Sequence, residues 1–120
     1  MRVLIVESNP DLGRVWSRHM ERLGATVDLA HDQAGAIHAL RMQDYEIIVL
    51  DLVLEDGAAL AIADFACYRR PGARVIYVTN TSFFSDGSIF NISSNACAFV
   101  QSGTPPEDLA AMVEHYGEAR

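Results

Sequence analysis

Short apolar runs alternate with longer amphipathic stretches along the whole chain. The clearest run is Ile47-Ile48-Val49-Leu50, which is rich in β-branched residues and ends at the carboxylate of Asp51. An uninterrupted apolar run of this length is typical of a strand buried on both faces of a sheet. Comparable runs predict further strands at residues 2–6, 25–30, 74–79 and 96–100.

The segments between these runs carry helix signals. Asn9 is a good N-cap before Pro10, and Gly24 is placed to stop the helix that follows. Further helices are predicted at about 33–42, capped by Asp32, and at 58–70, ended by Pro71-Gly72. The capping box at Thr104–Glu107 predicts a last helix to Tyr116. Residues 81–95 are poor in helix formers, and we expect a loop and a short or distorted helix from about Asp86.

Strands that alternate with helices predict an α/β domain with a parallel sheet and helices on both faces. The length of 120 residues fits one domain, residues 1–120. Ligands of such sheets bind beyond the carboxyl ends of the strands. Glu7-Ser8, Asp51 and Thr79 follow three of these strands and Ser102 follows the fifth, so we expect them to share one edge.

Composition narrows the function classes. The net charge of −7 and the pI of about 4.8 argue against a nucleic-acid partner, which requires a basic surface. The nine Lys and Arg residues form no dense run, which argues against an anionic membrane surface. Neither a signal peptide nor a zinc site is expected from the sequence. Cys67 and Cys97 lie in apolar sequence, predicting buried, reduced thiols and a cytoplasmic protein.

The motifs Val-Leu-Ile-Val-Glu-Ser-Asn-Pro (3–10), Leu-Asp-Leu-Val-Leu-Glu-Asp-Gly (50–57), Val-Ile-Tyr-Val-Thr (75–79) and Ala-Phe-Val-Gln-Ser-Gly (98–103) resemble the receiver domain of two-component response regulators. The resemblance covers the whole chain in order, spacing and strand context. It implies a flavodoxin-like (βα)5 three-layer fold with a five-stranded parallel sheet. It also implies phosphorelay signalling, a histidine kinase or phosphotransfer protein as phosphoryl donor, and a downstream protein partner; a homodimer is compatible with it. No enzymatic turnover of its own is expected.

The resemblance also assigns roles to individual residues. Asp51 stands at the position of the phospho-acceptor, and Thr79 at that of the hydroxyl that contacts the phosphoryl group. A Mg²⁺ ion would be held by Glu7, Asp51 and the backbone carbonyl of Val53. Phe99 stands at the position of the aromatic switch residue.

The sequence departs from the family pattern where charge matters most. Ser8 replaces the second acid of the metal pair, and Ser102 replaces the Lys that pairs with the phosphoryl group. Two like charges about 4 Å apart repel by roughly 4 kcal/mol at an effective dielectric constant of about 20. Ser8 therefore deprives the metal of a charged ligand, and Ser102 can donate a hydrogen bond but supplies no positive charge to offset this repulsion.

Each assignment has a simpler alternative. Asp51 could cap the following turn, Thr79 could satisfy a backbone group, and Phe99 could be an ordinary core aromatic. Three functions therefore stay open: an atypical receiver that accepts a phosphoryl group, a pseudo-receiver that binds partners without phosphorylation, and a small flavin- or nucleotide-binding protein. The last is the weakest, because no Gly-rich phosphate loop follows the first strand.

Overall fold

A single parallel sheet forms the centre of the protein in the computed structural model, which describes residues 1–52, 59–79 and 95–118. Its strands are β1 (Arg2–Val6), β2 (Thr26–Ala30), β3 (Ile47–Asp51), β4 (Arg74–Thr79) and β5 (Ala96–Gln101). The helices in the described residues are α1 (Pro10–Arg22), α2 (Gln33–Met42), α3 (Ala59–Arg69) and α4 (Pro106–Glu118). These elements confirm the predicted pattern, and the helix predicted from about Asp86 lies outside the described residues.

The strands lie in the order β2-β1-β3-β4-β5, and every pair of neighbours is parallel. Val6 pairs with Ala30 on one side and with Leu50 on the other, and Asp51 pairs with Val78. The carboxyl ends of all five strands therefore lie along one edge of the sheet. The α/β fold with a five-stranded parallel sheet is thus confirmed.

Apolar cores cover both faces of the sheet. On one face, Trp16 of α1 and Val113 of α4 pack with strand residues such as Ile5. On the other, Leu40 of α2 and Ile62 of α3 pack with residues such as Ile48. This three-layer arrangement explains why Ile47–Leu50 carries no polar residue: both faces of β3 are fully buried.

Capping side chains set the helix starts at the edge where the strands end. Asn9 Oδ1 accepts hydrogen bonds from the backbone N–H groups of Asp11 and Leu12, as its N-cap role requires. Asp32 Oδ1 likewise accepts from the Gly35 N–H at 2.8 Å. At α4 the Pro105 carbonyl accepts from Asp108 and Leu109, so the helix begins one residue later than the capping box predicts.

The prediction of two buried thiols is wrong for Cys67, which is exposed, whereas Cys97 is half-buried. The buried positions of α3 are Ala59, Ile62, Ala63 and Ala66, and Cys67 falls on the outward side of that stripe. In this Ala-rich helix small residues occupy both faces, so the sequence pattern indicates only weakly which face packs against the sheet.

The central strand should dominate stability. Ile48 is fully buried, and we expect Ile48→Ala to lower the free energy of unfolding by about 2–5 kcal/mol through lost burial and a cavity. Met42→Ala is the control, because Met42 is 65% exposed and should change stability by less than about 0.5 kcal/mol. Urea unfolding of both variants measures the difference; equal losses would contradict the assignment of β3 to the core.

Candidate functional site

Two carboxylates meet where β1 and β3 end. Glu7 directly follows β1, and Asp51 is the last residue of β3. Because Val6 pairs with Leu50 in parallel register, the next residue on each chain, Glu7 and Asp51, are also neighbours. Adjacent strands are about 4.8 Å apart, so side chains at matched positions are in reach of each other. The structure thus brings together the two acids that the sequence places in the candidate metal site.

The Glu7 carboxylate is buried, with only 4% of the residue exposed. Its Oε1 accepts a hydrogen bond of 3.1 Å from the backbone N–H of Asn9. Its Oε2 is buried and accepts no hydrogen bond from any donor in the described residues. Asp51 is the neighbouring polar group, and two carboxyl groups can hydrogen-bond only when one of them carries a proton.

This environment raises the pKa of Glu7 to about 7. Burial is the largest cause, and the hydrogen bond and negative charge of Asp51 act in the same direction. The N–H of Asn9 opposes the shift without cancelling it. Near neutral pH the Glu7 carboxyl group therefore either keeps its proton or, when ionised, requires a cation to balance its charge.

This carboxyl pair fits a small divalent cation. Mg²⁺ is usually held by one or two carboxylates, with water or backbone oxygens completing its shell. The buried Oε2 of Glu7 has no hydrogen-bond donor in the described residues, and a bound cation would supply the electrostatic partner that this oxygen lacks. No cluster of three or more His, Cys, Asp or Glu side chains suited to a metal occurs in residues 1–52, 59–79 and 95–118.

Thr79 and Ser102 are joined at the next part of the edge. Thr79 ends β4 one position beyond Val78, the partner of Asp51, and its side chain is fully buried. The Ser102 N–H donates to the Thr79 carbonyl at 2.7 Å, which fixes the residue at the usual Lys position beside the end of β4. The predicted set of strand-end residues therefore shares one edge.

The remaining predicted residues have different surroundings. Ser8 is half-buried, directly after Glu7. Phe99 pairs with Tyr77 across β4 and β5, is half-buried, and packs against the core beneath α2 and α3. That environment suits a core aromatic as well as a switch residue. Val53, whose carbonyl was predicted as a metal ligand, lies outside the described residues.

His31 is a residue of this edge that the sequence reasoning missed. It directly follows β2, and its Nδ1 lies 3.0 Å from the backbone carbonyl oxygen of Glu7. The hydrogen bond is made when Nδ1 carries the proton. The signal was available in the sequence, because His31 stands after its strand as Glu7 and Thr79 stand near the ends of theirs.

Positive charge lies mostly elsewhere. The chain contains no lysine, and all nine basic residues are arginines. Arg2 and Arg74 begin β1 and β4, at the opposite edge of the sheet. Arg14 on α1 pairs with Asp11, two residues after the cap of that helix. No lysine can therefore supply the ammonium group that receiver domains place at this site.

A cleft of about 830 Å³ lies at the opposite edge of the sheet, away from the carboxylate pair. It is lined by residues at the amino ends of β4 and β5, among them Arg74 and Cys97. Burial raises the pKa of the Cys97 thiol to about 11, so this thiol is protonated and unreactive at neutral pH. We therefore place the candidate chemistry at the carboxylate edge, where Glu7 and Asp51 meet, and not in this cleft.

Within the described residues, none of the helices is long and apolar enough to cross a membrane. No protein-family model matches the chain, and no curated protein is detectably similar to it in sequence. Comparison with solved structures, in contrast, gives strong matches.

A response regulator receiver domain protein (CheY-like) from Methanospirillum hungatei JF-1 matches with a TM-score of 0.87 and 21% identity, over 98% of this chain and 94% of that chain. A response regulator from Burkholderia pseudomallei with a phosphorylated aspartic acid and a calcium ion matches at 0.80 and 21%, over 95% and 71%. The response regulator TrrA from Thermotoga maritima, in complex with Mg²⁺ and BeF, matches at 0.80 and 17%, over 96% and 97%.

Identities of this size establish the fold and leave the chemistry of each residue open. The TM-scores of 0.80–0.87 extend over 95–98% of this chain, so the whole arrangement of strands and helices is shared with these structures. The chain has the fold of the response regulator receiver domains.

Proposed function

We propose that this chain is an atypical receiver domain of two-component phosphorelay signalling, with Asp51 as its phosphoryl acceptor. The observation that carries the proposal is the contact between the Glu7 and Asp51 carboxyl groups at the carboxyl edge of a receiver-type sheet. The domain acts as a recipient of a phosphoryl group and not as an enzyme with its own turnover. Its donor is a histidine kinase or phosphotransfer protein, and its output is binding to a downstream protein.

The reaction would transfer a phosphoryl group to a carboxylate oxygen of Asp51, with the bond to the donor nitrogen breaking as the new oxygen–phosphorus bond forms. Both reactants are anionic, so the site must offset their repulsion. Glu7 and Asp51 would hold a Mg²⁺ ion, as the neighbours with bound Mg²⁺ or Ca²⁺ suggest. When bound, this ion neutralises charge on the carboxylates and the phosphoryl oxygens.

The residues of this chain supply the other functions. The Asn9 N–H fixes one oxygen of Glu7, which leaves the buried second oxygen for a cation. The Ser102 N–H holds the end of β4 through the Thr79 carbonyl. A serine at 102 offers a hydrogen bond without positive charge, so we propose slower phosphorylation than in a receiver with lysine there.

The direct test is incubation of the protein with acetyl phosphate and Mg²⁺, followed by intact mass measurement. We expect an adduct with the mass of one phosphoryl group on the wild type and none on Asp51→Asn. Asp44→Asn is a matched control, because Asp44 is an exposed acid on the loop before β3 and should leave the adduct unchanged. An adduct that persists in Asp51→Asn would remove Asp51 as the acceptor.

A pseudo-receiver that binds partners without phosphorylation is the second candidate. The absence of lysine and the serine at position 8 favour it. It predicts no adduct with acetyl phosphate and equal partner affinity for the wild type and Asp51→Asn. An affinity that changes with phosphorylation would exclude it.

A further inference from the structure

Folding brings Arg41 next to Arg69 and Arg70, which lie 28 and 29 residues later in the chain. Arg41 lies near the end of α2, and Arg69 and Arg70 lie at the end of α3. The Nη2 atoms of Arg69 and Arg70 each donate to the Arg41 carbonyl at 3.3 Å, and Arg70 Nε donates to the Leu40 carbonyl at 2.9 Å. We call the surface formed by Arg41, Met42, Tyr68, Arg69 and Arg70 the arginine corner.

Because Arg69 and Arg70 both donate to the Arg41 carbonyl oxygen, their positively charged guanidinium groups lie close together. Two guanidinium nitrogens that each lie 3.3 Å from one oxygen are no more than twice that distance apart. The carbonyls at the end of α2 offset part of the repulsion, because a helix C-terminus carries partial negative charge. In the described residues the arginine ion pairs involve Arg2 and Arg14, and none involves an arginine of this corner.

Large apolar side chains flank these charges. Tyr68 is 84% exposed and Met42 is 65% exposed, each next to one of the arginines in sequence. The Arg41 guanidinium lies over the Phe65 ring, 5.8 Å from its centroid, which restrains it on the surface. Tyr, Met and Arg are the residue types enriched in protein interfaces, and rigid side chains lose little entropy on binding.

Charge indicates the kind of partner. The chain as a whole has a net charge of −7, so these three guanidinium groups form a positive patch on a protein that is negative overall. The acids nearest to it in sequence are Asp64, one turn before Tyr68, and Asp44, two residues after Met42, and both are exposed. A nucleic acid would meet repulsion from the rest of the chain, whereas a short acidic segment need only touch the corner.

We propose that the arginine corner docks an acidic segment of a partner protein. Carboxylates of that segment bind Arg69 and Arg70, and an apolar side chain beside them covers Tyr68 and Met42. The corner lies where α2 and α3 end, at the edge opposite the Glu7–Asp51 pair. The docking therefore does not depend on the proposed phosphoryl chemistry, and the two proposals can fail separately.

The test is a titration of ¹⁵N-labelled protein with a synthetic peptide of alternating Glu and Leu, followed by NMR. We expect shifts at residues 41–42 and 68–70 and at the Nε–H groups of Arg69 and Arg70. Arg69→Gln should weaken binding about tenfold, as expected for loss of a charge-assisted contact. Arg18→Gln, an exposed arginine on α1, is the matched control and should bind as the wild type does.

The spectra also verify that each variant is folded. No shifts at a peptide concentration of about 1 mM would overturn the proposal, as would equal shifts with a peptide in which Gln replaces Glu. Stronger shifts of the same residues with a thymidine oligonucleotide would reassign the corner to nucleic acid. Shifts that depend on protein concentration without peptide would reassign it to a second copy. Asp51→Asn should retain peptide binding.

Discussion

Replacing Glu7 with glutamine is expected to stabilise the domain at pH 8 by up to about 3 kcal/mol. The folded protein holds the pKa of Glu7 at about 7, above the ordinary value of 4.5, mainly through burial and also through Asp51. A difference of this size corresponds to about 1.4 kcal/mol per pKa unit. Glutamine keeps the acceptor oxygen for the Asn9 N–H and can donate its amide N–H to Asp51, so the buried charge is removed without losing a partner.

The sign of the pH dependence follows from proton binding. Below pH 4.5 Glu7 is protonated in both states, and its contribution to stability is fully present. Between pH 4.5 and about 7 the unfolded chain releases its proton first, so the free energy of unfolding falls as pH rises. Above about pH 7 the carboxylate is ionised in both states and the loss is complete. Glu7→Gln should lack this fall.

Urea unfolding of the wild type and Glu7→Gln at pH 4.5, 6 and 8 measures the effect. Asp64→Asn, an exposed acid on α3, controls for the change in net charge and should leave the pH profile unchanged. Mg²⁺ at pH 8 should stabilise the wild type more than Glu7→Gln, because a bound cation replaces the missing proton. A Glu7→Gln protein less stable than the wild type at pH 8 would contradict this prediction, because it would show that the ionised Glu7 carboxylate is stabilised in the folded protein.

The edge that carries this site could be predicted because strand ends follow from local sequence. Apolar runs stop at Glu7, Asp51 and Thr79, and parallel strands bring such ends together. The contact between Glu7 and Asp51 required the register as well, since a slip of one residue would turn one side chain to the other face. His31 also follows a strand, β2, at this edge, but its contact with Glu7 was not predicted from the sequence.

Other features depend on tertiary packing and have no local signal. The raised pKa of Glu7 comes from burial by surrounding elements, whereas the sequence shows only a strand-end acid. The arginine corner joins Arg41 to Arg69 and Arg70 across two helix ends. In the sequence Arg41 stands 28 residues before Arg69, and nothing there indicates that the guanidinium groups of Arg69 and Arg70 reach carbonyls at the end of α2.

Ser102→Lys is expected to increase the yield or rate of acetyl phosphate modification of Asp51 by about 10- to 100-fold. A hydrogen bond to a charged group contributes about 1.5–3 kcal/mol, and each 1.4 kcal/mol is tenfold. The bond from the Ser102 N–H to the Thr79 carbonyl fixes the backbone of this residue beside the end of β4. A lysine side chain, with its flexible four-carbon stem, can extend from there along the edge toward Asp51.

Gln101→Lys is the matched control for this gain. Gln101 is exposed, pairs with Thr79 and immediately precedes Ser102. A lysine at position 101 therefore adds the same charge to the same edge at a different position. If general attraction of the anionic donor caused the gain, both variants would show it equally. A gain confined to Ser102→Lys would mean that the pocket retains receiver geometry and lacks only the counterion. No gain in either variant would favour the pseudo-receiver, because restoring the charge would then leave Asp51 unreactive.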